Sequence, residues 1–392
     1  MVAKITFFPV GNGDMTLIET DSGKKILIDC HIRSGSEHPD VLSMLKKRLT
    51  EDSKGRLYID VFIWSHPDKD HCGGIESNFY LGDPNDWSES KHKDLIFVNE
   101  IWSSPLVYRR AHKENHNLCS DAIALNREVK RRIKKYKDNN TSIYTLGDQV
   151  LVLSDDENGK TDDIPDIVVS LDQSINDINN SYDNSFSALL LAPSPKSDFP
   201  SAEEELGKNH SSVILNISLK VSGSGKEINF LTAGDAEVVC WEVLLDRLRP
   251  QNIVESSLIY DVLQTPHHCS WHTLSHDSLS ARGENAQTDP DAIEALSQAK
   301  ESAYIIASSR TISEDDSDPP AYRAKQEYLK ILEPVKGTFK CVADNFDNNN
   351  INVPLELVFD GNNLKPTPAK SFIKNSNVAS EAVNRRGKSD YA

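Results

Sequence analysis

The stretch Ser65–Gly74, read Ser-His-Pro-Asp-Lys-Asp-His-Cys-Gly-Gly, places two imidazoles and two carboxylates within ten residues. In an extended segment alternate side chains share a side. His66, Asp68 and Asp70 could therefore project together, while His71, adjacent to Asp70, points elsewhere. One short loop could thus feed two metal ions. Imidazole with carboxylate suits Zn²⁺, Mn²⁺ or Fe²⁺ better than Ca²⁺, which takes oxygen ligands. The plainer alternative is a polar loop whose aspartate caps a helix.

Two other segments offer similar chemistry. In Phe-Leu-Thr-Ala-Gly-Asp-Ala-Glu (230–237) an apolar run ends at Asp235, which could bridge two cations or cap the helix that follows. In Val-Leu-Gln-Thr-Pro-His-His-Cys (262–269) His267 and His268 could be a ligand and a proton donor, or ordinary surface histidines. Three loops of this kind are the layout of a binuclear metal site. Such a site lowers the pKa of bound water to about 7 and so supplies a metal-bound hydroxide at neutral pH.

Strands must deliver these loops. Lys-Ile-Thr-Phe-Phe-Pro-Val (4–10), Met-Thr-Leu-Ile-Glu-Thr (15–20) and Lys-Ile-Leu-Ile-Asp-Cys (25–30) read as strands separated by Gly- and Asp-rich turns. Tyr-Ile-Asp-Val-Phe-Ile-Trp-Ser (58–65) is a buried strand leading directly to His66. Residues 38–50 and 121–137 read as helices, the second with Ile123, Val129 and Ile133 on its buried side. Its basic residues form either a solvated face or a contact for nucleic acid or a protein partner. Strands return at 188–193, 212–221, 227–235, 260–268 and 303–309, with helices at 236–248 and 320–332.

We read one domain over 1–340, with insertions near 76–150 and 154–186, a closing hairpin over 341–365, and a disordered tail over 366–392. Lys and Arg number 43 against 60 Asp and Glu, a formal charge of −17. This argues against general affinity for nucleic acid or anionic membrane, although bound metal or a local basic groove would change the field at a site. No apolar run is long enough for a membrane span, and the first ten residues lack the layout of a signal peptide. Six cysteines without CxxC spacing fit a reduced, cytoplasmic setting.

The order of these motifs resembles the metallo-β-lactamase superfamily. Asp68 stands where many members have histidine, a variant similar to the branch typified by the C-terminal domain of the ComEC competence protein. Val-Gly-Asn-Gly-Asp (10–14), Asn-His-Ser-Ser (209–212), Thr-Ala-Gly-Asp (232–235) and Pro-His-His-Cys-Ser (266–270) resemble further motifs of that branch. The resemblance spans roughly residues 4–310 and implies an αββα sandwich of two mixed sheets flanked by helices. It implies two divalent ions, Zn²⁺ or Mn²⁺, with His66 and Asp68 on one, Asp70, His71 and His267 on the other, and Asp235 bridging. Asp70 and His268 would be catalytic, His268 as proton donor. Asp29 would orient a ligating histidine, and Asp14 is either a turn device or a further site carboxylate; His31 could line the pocket, and His210 could replace a missing ligand.

The chain departs from the pattern at Cys269, where members often have glycine, and in lacking a late Gly-His-Pro-His-Pro stretch. Cys269 is then either a thiolate ligand or a small packed thiol. The activity implied is a metal-dependent hydrolase, a phosphodiesterase or nuclease with nucleic acid as substrate. The alternatives are a hydrolase of small esters, amides or lactones, and an effector gated by a partner such as a defence or signalling ATPase.

Overall fold

The computed structural model describes residues 2–111, 118–139, 143–195, 206–316 and 318–369. Two sheets lie face to face, of eleven and seven strands among the described residues. The first is built around four parallel strands, Lys25–Ile28, Leu57–Trp64, Ile96–Ser103 and Gln149–Leu153. The antiparallel strands Thr16–Glu19, Ala3–Phe7 and Leu355–Phe359 extend it on the other side. The second runs antiparallel through Phe186–Ala192, Ile214–Lys220 and Glu227–Thr232, then parallel through Tyr260–Gln264, Ala299–Ala307 and Thr338–Cys341. Both sheets are mixed and helices flank them, the αββα sandwich expected.

Strand periodicity explains the layers. Successive side chains face opposite sides of a sheet. In Leu57–Trp64, Val61 and Ile63 enter the core between the sheets, with Phe7, Leu215, Phe230 and Val262. Phe62 and Trp64 enter the outer core under the helix Ser120–Asp138. The rings of Phe7 and Phe230 meet edge-on across the sheets, with centroids 5.8 Å apart. On the far side Trp241, Leu244, Leu245 and Leu248 of the helix Val238–Leu248 cover Leu231, Leu263 and Ile305. No helix among the described residues is long and apolar enough to cross a membrane.

Three local expectations change. The helix Ser120–Asp138 buries Ala122, Leu125, Val129, Arg132 and Tyr136, so Ile123 falls off that face and is 47% exposed. Thr338–Cys341 joins the second sheet, and the closing hairpin is Leu355–Phe359 with Leu364–Pro366 in the first. Strand pairing at such separations depends on long-range burial that local pattern does not encode. The tail expected over 366–392 lies beyond the described residues from 370 onward.

Candidate metal centre

The parallel strands Leu57–Trp64 and Lys25–Ile28 end side by side, and Glu227–Thr232 and Tyr260–Gln264 end opposite them. The loops that leave these ends bring His66, Asp68, Asp70, His71, Asp235, His267 and His268 together. Asp235 is central and buried. Its Oδ1 lies 2.9 Å from His71 Nε2 and 3.5 Å from His268 Nε2. Its Oδ2 lies 3.3 Å from His66 Nε2 and 3.7 Å from His267 Nε2. Asp70 Oδ2 lies 3.2 Å from His268 Nε2. Two donor groups result, sharing Asp235: Asp70, His71, Asp235 and His268, and His66, Asp68 and Asp235.

The imidazoles are held from behind. His71 Nδ1 donates to Asp29 Oδ2 at 2.8 Å. The same carboxylate accepts the backbone N–H of Ser65 at 2.8 Å and its hydroxyl at 2.5 Å. Ser65 Oγ, its proton spent on Asp29, lies 3.1 Å from His66 Nδ1 and can accept from it. His268 Nδ1 lies 3.2 Å from the Ser308 carbonyl and also accepts the Gly13 N–H at 3.2 Å. All three rings thus engage protein through Nδ1 and turn Nε2 inward, the arrangement that ligating histidines require.

Backbone conformation sets the remaining directions. His267, His268 and Cys269 have φ of 49°, 52° and 68°, and Asp29 has φ of 56°. Non-glycine residues in this region cost about 1–3 kcal/mol each and persist where the surroundings over-determine them. Gly13 allows the opening loop to press against the site: a Cβ there would lie 2.1 Å from His31 Nδ1 and 2.9 Å from the Asp70 carbonyl. The Asp14 N–H donates to that carbonyl at 3.1 Å, fixing the metal-type loop to the first hairpin. Asp14 also places Oδ1 3.5 Å from His268 Nδ1, so it is part of the site's charge as well as of a turn.

The residues fit a divalent cation. Asp14, Asp29, Asp68, Asp70 and Asp235 crowd one pocket, and His66 Nε2 is buried without a hydrogen-bond partner. Burial would push the His71 imidazole down, yet Asp235 and Asp29 hold it well above its ordinary value. Burial likewise opposes charge on His268, but Asp235, Asp14 and Asp70 carry it up to about 10. Against the cost of burial, His71 and His268 hold Asp235 well below the usual carboxylate range, and they do the same for Asp70. The site calls for positive charge, and its carboxylates bias His71 and His268 toward the protonated form.

Of the two adjacent histidines, His268 is the one grouped with Asp70, His71 and Asp235, and its side chain is 1% exposed. The His267 side chain is 16% exposed, with Nδ1 3.6 Å from Glu237 Oε1. His31 is buried beside the loop and contributes no atom to these groups among the described residues. Burial, then Arg33, lowers its pKa to about 4, so it is a neutral packing ring. His210 turns to Glu237 instead, with Nε2 3.6 Å from Oε2. Cys269 is buried in the outer core among Trp271 and Tyr328, a packed thiol whose pKa burial pushes up.

Ser65, Glu237 and Lys208 were not singled out from sequence. Ser65 opens the first motif, and Glu237 follows Asp235 by two residues, so both were within reach. Lys208, whose Nζ lies 2.5 Å from Asp68 Oδ2, carried no signal.

The basic helix is largely spent on the fold. Arg132 is buried and bonds the carbonyls of Val98, Asn99 and Gln149. Arg131 pairs with Glu128 and Asp148, Lys135 with Asp83, Lys137 with Asp163, and Lys134 with Asp138.

No protein-family model matches the chain, and no curated protein does. Among solved structures, that of unliganded yeast PDE1 aligns with 87% of this chain and 96% of its own, at 10% identity and a TM-score of 0.39.

Proposed function

We propose that the protein is a metal-dependent hydrolase of the metallo-β-lactamase type, with phosphodiesters as its substrate class. One observation carries the metal reading: Asp235 offers its two carboxylate oxygens to two separate sets of imidazole and carboxylate donors. A divalent cation held by Asp70, His71, Asp235 and His268 would lower the pKa of a water and polarise the scissile group. Zn²⁺ and Mn²⁺ both suit this donor set.

The chain's own residues do the rest. Asp29 and Ser65 keep His71 and His66 in the tautomer that leaves Nε2 free. His267, on the open side of the site with Glu237 behind Nδ1, is placed to give a proton to a leaving oxygen, the role expected of His268. The phosphodiester assignment rests on the sequence motifs. The paired cations of Ser120–Asp138 favour a second reading, in which the substrate is a small ester, amide or lactone rather than a nucleic-acid strand.

Purified protein loaded with Zn²⁺ or Mn²⁺ and given single-stranded DNA, duplex DNA, RNA and a small phosphodiester, beside Asp70→Ala, tests the proposal. Cleavage lost in a folded Asp70→Ala variant is expected. Equal cleavage by both proteins would refute the site. Turnover of the small phosphodiester alone would exclude the nuclease form, and turnover by the isolated chain would count against gating by a partner.

A further inference from the structure

We infer that Lys208 closes one half of the site to a second cation, so that the chain holds a single divalent ion tightly. This rests on the metal centre proposed above and concerns its stoichiometry. The two donor groups are unequal. Asp70, His71, Asp235 and His268 supply four ligand atoms, enough for a tetrahedral shell or for three protein ligands and an open position. His66, Asp68 and Asp235 supply three, one of them from the shared carboxylate.

The smaller group is also already neutralised. Lys208 Nζ sits 2.5 Å from Asp68 Oδ2, the oxygen that lies 3.9 Å from His66 Nε2. The lysine ammonium therefore stands beside the ligand atoms a cation would have to join. A divalent ion there would lose the charge of Asp68 to Lys208 and meet like charge a few ångströms away, a repulsion that low local dielectric makes large. Neither neighbouring imidazole completes the shell: His210 Nδ1 accepts the N–H of Gly207 at 2.7 Å and its Nε2 faces Glu237, while His267, with Nε2 3.7 Å from Asp235 Oδ2, falls outside the group and turns its Nδ1 to Glu237.

Nothing comparable opposes the larger group. Among the described residues the side-chain partners of its carboxylates are imidazoles, with no ammonium or guanidinium among them. One half is thus built for a metal ion and the other carries a side-chain cation in its place. Lys208 reaches Asp68 across 140 residues of sequence, and its side chain is 32% exposed, so it can be changed without opening the core.

The experiment is metal counting on the full chain. Wild type, Lys208→Met and Lys208→Arg are equilibrated at the same buffered micromolar free Zn²⁺, and bound zinc is measured by elemental analysis, with a thermal melt to verify folding. We expect one ion per chain in wild type and Lys208→Arg, and two in Lys208→Met. Two ions in wild type, or one in all three proteins, would overturn the inference while leaving the metal centre intact. No bound ion in any of them would overturn the centre itself and this inference with it. If Lys208→Met does not melt cooperatively, Lys208→Gln, which keeps the stem and a polar end, replaces it under the same criteria.

Discussion

Asp29→Asn isolates the argument that the fold sets the histidine tautomers. The substitution is nearly isosteric, and asparagine tolerates the left-handed backbone found at φ 56°. The amide oxygen can keep the Ser65 N–H, now 2.8 Å from the carboxylate. The amide NH₂ then faces His71 Nδ1, where Asp29 Oδ2 accepts a proton at 2.8 Å. Two donors cannot share that space, so the ring must give up its Nδ1 proton and keep one on Nε2, the atom turned toward Asp235. Loss of a hydrogen bond to a charged group costs about 1.5–3 kcal/mol. Loss of an orienting partner behind a ligating histidine costs about 10–100-fold in metal affinity. Chelator competition with Zn²⁺ measures the second quantity, and denaturant melts of the metal-free protein measure the first. Affinity within twofold of wild type would refute the tautomer argument, whatever happened to stability.

Two predictions concern groups away from the metal centre. Burial pushes the Glu100 carboxyl from 4.5 up to about 7, against the pull of the Asn179 N–H and Arg132. The folded chain then holds a proton that the unfolded chain releases, so stability falls as pH rises from about 4.5 through 7, by roughly 3 kcal/mol in full. Glu100→Gln should gain stability relative to wild type across that window in urea melts, and a difference independent of pH would contradict the assignment. Cys119 should be the first cysteine alkylated by iodoacetamide at pH 7. A hydrogen bond from Cys72, opposed by burial and aided by the Ala122 N–H, lowers its pKa to about 6, while burial pushes Cys240 up to about 12. Peptide mapping that finds Cys240 modified as fast would refute this.

What the sequence could and could not reveal follows from the range of each interaction. Strands such as Leu57–Trp64 were legible because their alternation reports burial on two faces, and the loops at their ends were legible because ligand residues cluster there. The placement of His268 beside Asp70 and His71 was not, since it depends on three successive left-handed residues that no local preference dictates. Ile123 was placed on the wrong side because the helix buries Arg132, whose guanidinium is satisfied by three carbonyls from neighbouring strands. Lys208 was invisible for a related reason: a lysine in a polar segment is ordinary until the fold sets it on Asp68.

The charge of the chain acquires a different meaning once the site is placed. A formal charge of −17 speaks against a partner read by phosphate contacts, and the paired helix Ser120–Asp138 offers little to offset it. Five of the carboxylates, however, gather at the site, and three of them are not surface charge. Asp14, Asp29 and Asp235 are almost fully buried, and with Asp68 and Asp70 they converge on the imidazoles of the site. Buried charge on this scale survives only when compensated. Compensation is available from protons on His71 and His268, whose pKa values the carboxylates raise, and from the ammonium of Lys208. A divalent ion can take over the task of the two protons, because ligation releases them. It can replace Lys208 only by driving that side chain out, and this difference is why the two halves of the site should not fill alike.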